Sequence, residues 1–152
     1  MNDEGNSLEA ATAAGAVPDY HLQEQVGFIL RQANQRHLAI FAARIGELTP
    51  PQFAALAKLY EAGETSQNQL GSLIAMDAAT VKGVIDRLNA RGLVHLSKHD
   101  ADKRRLMVGL TDAGREAIER LFPLARATTE ETLAPLSAKE RTTLLKLLAR
   151  IA

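Results

Sequence analysis

Residues 100–106, Asp-Ala-Asp-Lys-Arg-Arg-Leu, concentrate two acids and three bases in one short stretch between apolar residues. Together with His99, the two carboxylates could supply ligands for a metal ion, but the three neighbouring cations would repel it, so no metal site is expected. A solvated turn is another ordinary interpretation of such a run of charges. An arginine at the tip of a narrow turn is also suited to the phosphates and the narrow minor groove of DNA. The elements that carry the turn decide between these alternatives.

Two strand-like stretches, residues 93–98 and 105–111, flank the charged turn and predict a β-hairpin. At its tip, Asp102 is expected to pair with Arg104, which would stiffen the loop and direct the arginine towards a minor groove. Further cations beside the tip are expected to meet the flanking phosphates. They are Lys103 and Arg105.

Two predicted helices precede the hairpin and form a helix-turn-helix. Residues 65–76 predict a short helix opened by Thr65 or Ser66, and Asp77 is the expected N-cap of a second helix that ends before Gly92. The second helix has an apolar stripe, which predicts burial, and a polar face that is either simply solvated or suited to base edges in the major groove. The stripe consists of Val81, Val84, Ile85 and Leu88. The residues predicted to contact DNA from the two helices are Ser66, Gln67, Asn68, Thr80, Lys82, Gly83 and Arg87.

Apolar residues at helical spacing predict four further helices, two before the helix-turn-helix and two after the hairpin. Capping boxes at Thr49 and Ser137 mark the start of the second and the last of them. The last helix is apolar on more than one side, which indicates that it packs against a partner. The predicted fold is therefore mainly α, a winged helix-turn-helix whose N- and C-terminal helices form a dimerisation domain. Its predicted parts are a flexible acidic tail (1–18), dimerisation helices (19–46 and 112–152) and the winged helix-turn-helix DNA-binding domain (47–111).

The composition excludes several classes of function. The 152 residues suffice for one domain with a core, and the absence of cysteine excludes disulfides, thiolate catalysis and cysteine-based zinc sites. No apolar run approaches the ~20 residues that cross a bilayer, and the N-terminus lacks the basic region of a secretory signal, which predicts a cytoplasmic protein without a membrane partner. No cofactor is expected. The net charge is zero, but all 18 bases lie after residue 30 with only 13 of the acids, so the neutral total can hide a basic face.

Two stretches resemble the multiple-antibiotic-resistance regulator (MarR) family of bacterial transcription factors, SQNQLGSLIAMDAATVKGVIDRLNARGLV and DADKRRLMVGLTDAGRE. The positions that match the family's wing pattern are Asp102, Arg104, Leu110 and Thr111, and its recognition-helix pattern matches Asp77 to Leu88. Ala101 stands where many relatives carry proline, which predicts a more mobile wing tip. The resemblance covers residues 20–151 and implies a homodimeric repressor that binds an inverted-repeat operator in double-stranded DNA. It also implies release by a small effector, as in the branch of the family that controls the catabolism of aromatic or pyridine carboxylates.

The first helix offers a candidate effector site, because the resemblance places effectors between the dimer helices and the winged helix. Side chains at three- and four-residue steps present an aromatic ring and cationic groups on roughly one stripe, which suits an aromatic carboxylate or its coenzyme A thioester. The candidates are Arg31, Asn34, His37, Phe41 and Arg44. In the alternative interpretation, Phe41 belongs to the core, His37 is an ordinary helix histidine, and the arginines are solvated or paired across the dimer.

Two other classes of function are compared with DNA binding. An enzyme is not expected, because the sequence contains no Gly-rich phosphate loop, nucleophile elbow or His/Glu metal spacing. A winged helix used only for protein contacts is the remaining alternative, although such a module has little use for an arginine-tipped ribbon. Salt-dependent DNA affinity would separate a regulator from a protein-contact module.

Overall fold

The computed structural model of the protein describes residues 18–152, so the tail predicted for residues 1–18 lies, apart from its last residue, outside the described part. The elements are α1 (Val26–Arg44), α2 (Pro50–Ala62), β1 (Thr65–Ser66), α3 (Gln67–Leu73), α4 (Ala78–Ala90), β2 (Val94–Lys98), β3 (Leu106–Leu110), α5 (Asp112–Thr132) and α6 (Ala138–Ile151), with a 3-10 turn at Leu22–Glu24 before α1. The mainly α fold with a small wing is confirmed. Between residues 18 and 152, no helix combines the length and the apolar character that a membrane crossing needs.

The predicted helix starts are confirmed by their caps. The Thr49 hydroxyl accepts a hydrogen bond from the Gln52 backbone N–H at 3.3 Å, and the Gln52 side chain accepts one from the Thr49 N–H at 3.1 Å, with Pro50 in the first turn. The same reciprocal box joins Ser137 and Glu140 at the start of α6. Each box satisfies backbone donors that the first turn of a helix leaves without partners.

The wing is a three-stranded antiparallel sheet rather than the two-stranded hairpin that the sequence predicts. The two predicted strands are confirmed as β2 and β3, which pair with Leu96 opposite Val108. The additional strand is β1, in which Thr65 lies opposite Val108 from the other side. A two-residue strand next to a helix N-cap is too short to show the alternation by which strands are detected in a sequence. Through β1, the sheet ties the start of α3 to the base of the wing.

One hydrophobic core joins the winged helix to the flanking helices. From α2, α3 and α4 come Leu56, Leu70 and Ile85, all fully buried. The same cluster includes Ile45, which follows α1, and Ile118 of α5. Because this core is continuous, the winged helix packs as one body with α1 and α5, and a displacement of α5 is transmitted to the winged helix.

Two helices leave large apolar side chains in water. No residue of α6 is buried, and Leu145, Leu147 and Ile151 are 54%, 49% and 68% exposed. At the start of α1, Val26 and Ile29 are 63% and 49% exposed. Exposed apolar faces of this kind on neighbouring helices indicate a surface for association.

Candidate nucleic-acid interface

A buried stripe and a capped N-terminus position α4 as a recognition helix. The residues predicted for the stripe are all buried, namely Val81, Val84, Ile85 and Leu88. The Asp77 carboxylate accepts hydrogen bonds from the backbone N–H of Thr80 at 2.8 Å and from its hydroxyl at 3.0 Å. These bonds, the backbone one first, hold the pKa of Asp77 below its usual range because they favour the charged form. Gly92 follows the helix with φ of 71°, a left-handed conformation that glycine adopts without strain.

The outer face of α4 carries four of the predicted DNA contacts, and their surroundings differ. The hydroxyl proton of Thr80 is committed to the helix cap, so its methyl group and an oxygen lone pair remain for a base edge. Lys82 Nζ forms an ion pair with Asp86 Oδ2 at 2.6 Å, and it must exchange that partner to reach DNA. The guanidinium of Arg87 lies beside Gly83, where an added Cβ would be 3.5 Å from Nη1.

The start of α3 and the tip of the wing face each other across an open cleft of about 510 Å³. Its lining consists of Ser66, Gln67, Asn68, Arg104, Arg105 and Leu106. Ser66 is only 6% exposed, and its hydroxyl accepts a hydrogen bond from the Gln69 N–H at 3.2 Å as the cap of α3. Ser66 therefore acts first through the helix start, while the exposed arginines can move towards a ligand. The fold thus brings together predicted DNA contacts that are far apart in sequence.

Four exposed cations of the predicted interface form no ion pair with any residue between 18 and 152. They are Arg87, Lys103, Arg104 and Arg105. Cations without a counter-charge suit a polyanion, because each phosphate they neutralise releases condensed counterions from the DNA. The charge of this face is therefore available for DNA, although the whole chain is neutral.

Asp102 shapes the wing tip, but not through the guanidinium of Arg104 as the sequence predicts. Its Oδ1 accepts a hydrogen bond from the Arg104 backbone N–H at 3.0 Å, which closes an Asx turn and leaves the guanidinium without an ion pair to any residue from 18 to 152. A second acceptor at the tip is His99, whose Nδ1 receives the N–H groups of Ala101 and Asp102 at 3.2 and 3.3 Å. The sequence raised His99 only as a possible metal ligand, because no local pattern identifies a histidine as a turn acceptor.

The predicted effector stripe on α1 divides into residues with different environments. Phe41 is 6% exposed and belongs to the core, edge-on to Phe53 with ring centres 6.0 Å apart, as the alternative interpretation expects. Arg44 is bound to α5 through an ion pair with Glu131, 2.5 Å from Nη2 to Oε2. Arg31 is exposed and forms no ion pair within residues 18–152.

The other two candidates, Asn34 and His37, line a groove of about 350 Å³ between α1, α5 and α6. The rest of its lining is mostly apolar and consists of Leu30, Ala33, Thr129, Thr132, Leu133, Leu144, Leu145 and Leu148. His37 Nδ1 lies 3.0 Å from the Thr132 hydroxyl, which itself donates to the Thr128 carbonyl at 2.8 Å. Because the hydroxyl has only one proton, Nδ1 must be the donor to Thr132, which leaves Nε2 for a contact with a ligand.

Known proteins with similar sequences are transcriptional regulators. The model of the MarR family matches residues 48–106, from just before α2 to the start of β3. The HTH-type transcriptional repressor NicR of Pseudomonas putida is 40% identical over 134 residues, which cover 87% of this chain and 85% of the repressor. The family model spans the helix-turn-helix, β2 and the wing tip, and ends at the first residue of β3.

Solved structures of similar chains share the fold. A probable transcriptional regulator from Pseudomonas aeruginosa is 55% identical with a TM-score of 0.83, and the match covers 87% of this chain and 100% of that one. BpsR of Bordetella bronchiseptica, whose DNA binding is regulated by 6-hydroxynicotinic acid, is 42% identical with a TM-score of 0.84, covering 87% and 96%. These likenesses support a regulator and not a protein-contact module. The chain belongs to the MarR family and is a winged-helix, DNA-binding transcriptional regulator.

Proposed function

We propose that the chain is a homodimeric repressor that holds an inverted-repeat operator and releases it when a small aromatic carboxylate, or its coenzyme A thioester, binds. The observation that carries this proposal is the groove beside Asn34 and His37, which lies between the helices with exposed apolar faces. In the proposed assembly, residues 47–111 bind DNA, and the helices within 19–46 and 112–152 form the dimer.

The exposed apolar residues of α1 and α6 support the dimer. Covering them with the same helices of a second copy removes apolar surface from water in a twofold arrangement. Two winged helices related by a twofold axis read inverted half-sites about one helical turn apart. A palindromic operator is therefore the DNA that matches the proposed assembly.

The groove has the character of a site for a small aromatic acid. Its apolar walls can enclose a ring, and its volume of about 350 Å³ falls within the range of small-ligand pockets. His37 Nε2 and the Asn34 amide offer polar contacts, and Arg31, three residues before Asn34, lies on the same side of α1 and can meet a carboxylate. A coenzyme A thioester would place its acyl ring in the groove and leave its nucleotide outside. The regulation of BpsR by 6-hydroxynicotinic acid favours a pyridine carboxylate among the aromatic acids.

A route from the groove to the DNA-binding face runs along α5. Its C-terminal half lines the groove, and its N-cap, Thr111, donates a hydrogen bond at 2.6 Å to the carbonyl of Gly92 at the end of the recognition helix. A ligand acts on DNA affinity only if it binds one arrangement of these helices more tightly than the other. We infer that the effector favours an arrangement of α5 in which the two recognition helices no longer fit successive major grooves.

The test is a fluorescence anisotropy titration of operator DNA with and without 6-hydroxynicotinic acid, nicotinic acid and benzoic acid. We expect at least one of them to raise the Kd for DNA about tenfold or more, in the range of ordinary allosteric coupling. His37→Ala should weaken the response to the acid. The control is His21→Ala, because His21 is exposed and lies just before the 3-10 turn, and this variant should respond as the unsubstituted protein does. Aromatic acids that produce no heat in calorimetry and no change in DNA affinity would contradict the proposal.

No catalytic step is part of the proposed function, and the similar proteins are regulators. A repressor of a bacterial operator works where the chromosome is, in the cytoplasm. The effector should therefore be recovered chemically unchanged after incubation with the protein, as mass spectrometry would show. Conversion of the acid into a product would contradict this part of the proposal.

A further inference from the structure

The tip of the wing is built around the side chain of His99, to which neither the family resemblance nor the charge pattern assigns a role in DNA binding. Its Nδ1 accepts the backbone N–H groups of Ala101 at 3.2 Å and of Asp102 at 3.3 Å. The His99 backbone also takes part, because its N–H donates to the Arg105 carbonyl at 3.0 Å. The histidine therefore holds both ends of the loop between β2 and β3.

The geometry settles the state of the imidazole. Both donors to Nδ1 are backbone N–H groups, so Nδ1 must offer a lone pair and the ring proton must be on Nε2. The N–H of Ala101 is one of these donors, and a proline at position 101 could not supply it. Ala101 in place of proline predicts a more mobile wing tip, but its N–H forms a hydrogen bond that proline cannot form and that restrains the tip.

The turn continues from His99 to the arginines in a short series of hydrogen bonds. Asp102, held by His99, accepts the Arg104 N–H on its Oδ1 at 3.0 Å and the Arg105 N–H on its carbonyl at 3.0 Å. The backbones that carry both guanidinium groups are therefore fixed relative to the imidazole. Without the acceptor at position 99, Asp102 would keep its contacts to the arginines but would no longer be anchored to β2.

We propose that His99 is a positioning residue for DNA binding, which orders the wing tip before DNA arrives and so presents Arg104 and Arg105 in one arrangement. A loop that is already ordered loses less conformational entropy on binding, which increases affinity without any contact between His99 and DNA. This inference rests on the proposed contact between the wing arginines and DNA.

Three substitutions separate positioning from other roles. His99→Ala removes the acceptor. His99→Asn restores it, because Oδ1 of asparagine, like Nδ1 of histidine, is bonded to Cγ and can accept N–H groups two and three residues ahead. His99→Gln is the matched control, since it carries the same amide one carbon farther from the backbone. The position is on an exposed loop, so all three variants should fold, which circular dichroism and thermal unfolding check.

Two measurements are made on each variant, operator affinity by anisotropy and, without DNA, amide hydrogen exchange by NMR at Ala101 and Asp102. We expect His99→Ala and His99→Gln to weaken operator affinity about three- to tenfold and to speed up both exchange rates, from the cost of ordering a loop on binding. His99→Asn should keep affinity within about twofold of the unsubstituted protein and keep the slower exchange.

Each result that departs from this pattern contradicts one step of the proposal. Unchanged affinity in His99→Ala, while Arg104→Ala weakens binding, would show that the arginines act without the histidine. Equal affinity of His99→Asn and His99→Gln, or exchange rates that do not change in His99→Ala, would exclude the acceptor role. Unchanged affinity in Arg104→Ala would show that the wing itself does not contact DNA, and the inference would fail together with that contact.

Discussion

Replacing the three most exposed apolar residues of α6 with glutamine should dissociate the proposed dimer. Leu145, Leu147 and Ile151 each leave about half or more of their surface in water. Full burial of such a side chain contributes roughly 1.5–3 kcal/mol, so covering the exposed part contributes about 1 kcal/mol. A twofold dimer buries each residue twice. Allowing for incomplete coverage, the triple substitution should weaken association by about 4–6 kcal/mol, which raises the dimer Kd about a thousandfold to ten-thousandfold.

Sedimentation equilibrium over a range of micromolar concentrations measures this change. The monomer should keep its fold, because no residue of α6 belongs to the buried core, and circular dichroism would check that. Leu73→Gln is the matched control, since Leu73 is 46% exposed at the end of α3 and outside the proposed dimer helices. A triple variant that sediments as a dimer at the lowest concentrations would refute the assignment of α6 to the interface.

Three further substitutions test a packing contact, a helix cap and a DNA contact of the winged helix. Gly114→Ala places a Cβ against the backbone carbonyl of Leu93, and backbone atoms cannot shift as easily as a flexible side chain. The free energy of unfolding in urea should therefore fall by about 1–3 kcal/mol, although alanine has the better helix propensity. Unchanged stability would contradict this contact. Because hydrogen bonds lower the pKa of Asp77 in the folded state, its carboxylate stabilises the protein above its usual pKa range, and that contribution is lost as the pH falls through the lowered pKa. The stability difference between Asp77→Ala and the unsubstituted protein should thus be greater at neutral pH than in acid, and a difference independent of pH would refute the capping role of the carboxylate. Arg104→Ala should weaken operator binding by ~1–3 kcal/mol with an unchanged unfolding midpoint, whereas unchanged affinity would remove the wing from the interface.

Most helices and strands could be predicted from the sequence, because helix caps and apolar periodicity depend on residues only a few positions apart. Thr49 and Ser137 satisfy the first-turn donors of their own helices, so their sequence signatures coincide with the observed starts. The short strand at Thr65 was missed since it depends on β3, which follows some forty residues later in the chain. A pairing partner at that distance leaves no trace in the local pattern.

For the candidate sites, too, the sequence predicts what depends on neighbouring residues and misses what depends on distant ones. The spacing of Asn34, His37 and Arg44 predicts that they lie along one side of α1. Their contacts depend on α5, which the spacing does not reveal: Arg44 forms an ion pair with Glu131, whereas Asn34 and His37 line the groove. At the wing, the sequence predicted that Asp102 would bind a neighbouring guanidinium. The nearby backbone N–H competes better for the carboxylate, since it is held in place by the turn itself.

The most direct test of DNA recognition by this face is fluorescence anisotropy with DNA from just upstream of the protein's own gene, at two salt concentrations. Every phosphate that a lysine or arginine neutralises adds about −0.9 to the slope of log affinity against log salt. Arg87 and the three cations of the wing tip form no ion pair within residues 18–152 and are present twice in a dimer. We therefore predict tight, sequence-selective binding that weakens steeply as salt rises. Absence of binding to that fragment and to a random genomic pool, or binding that does not respond to salt, would contradict the account.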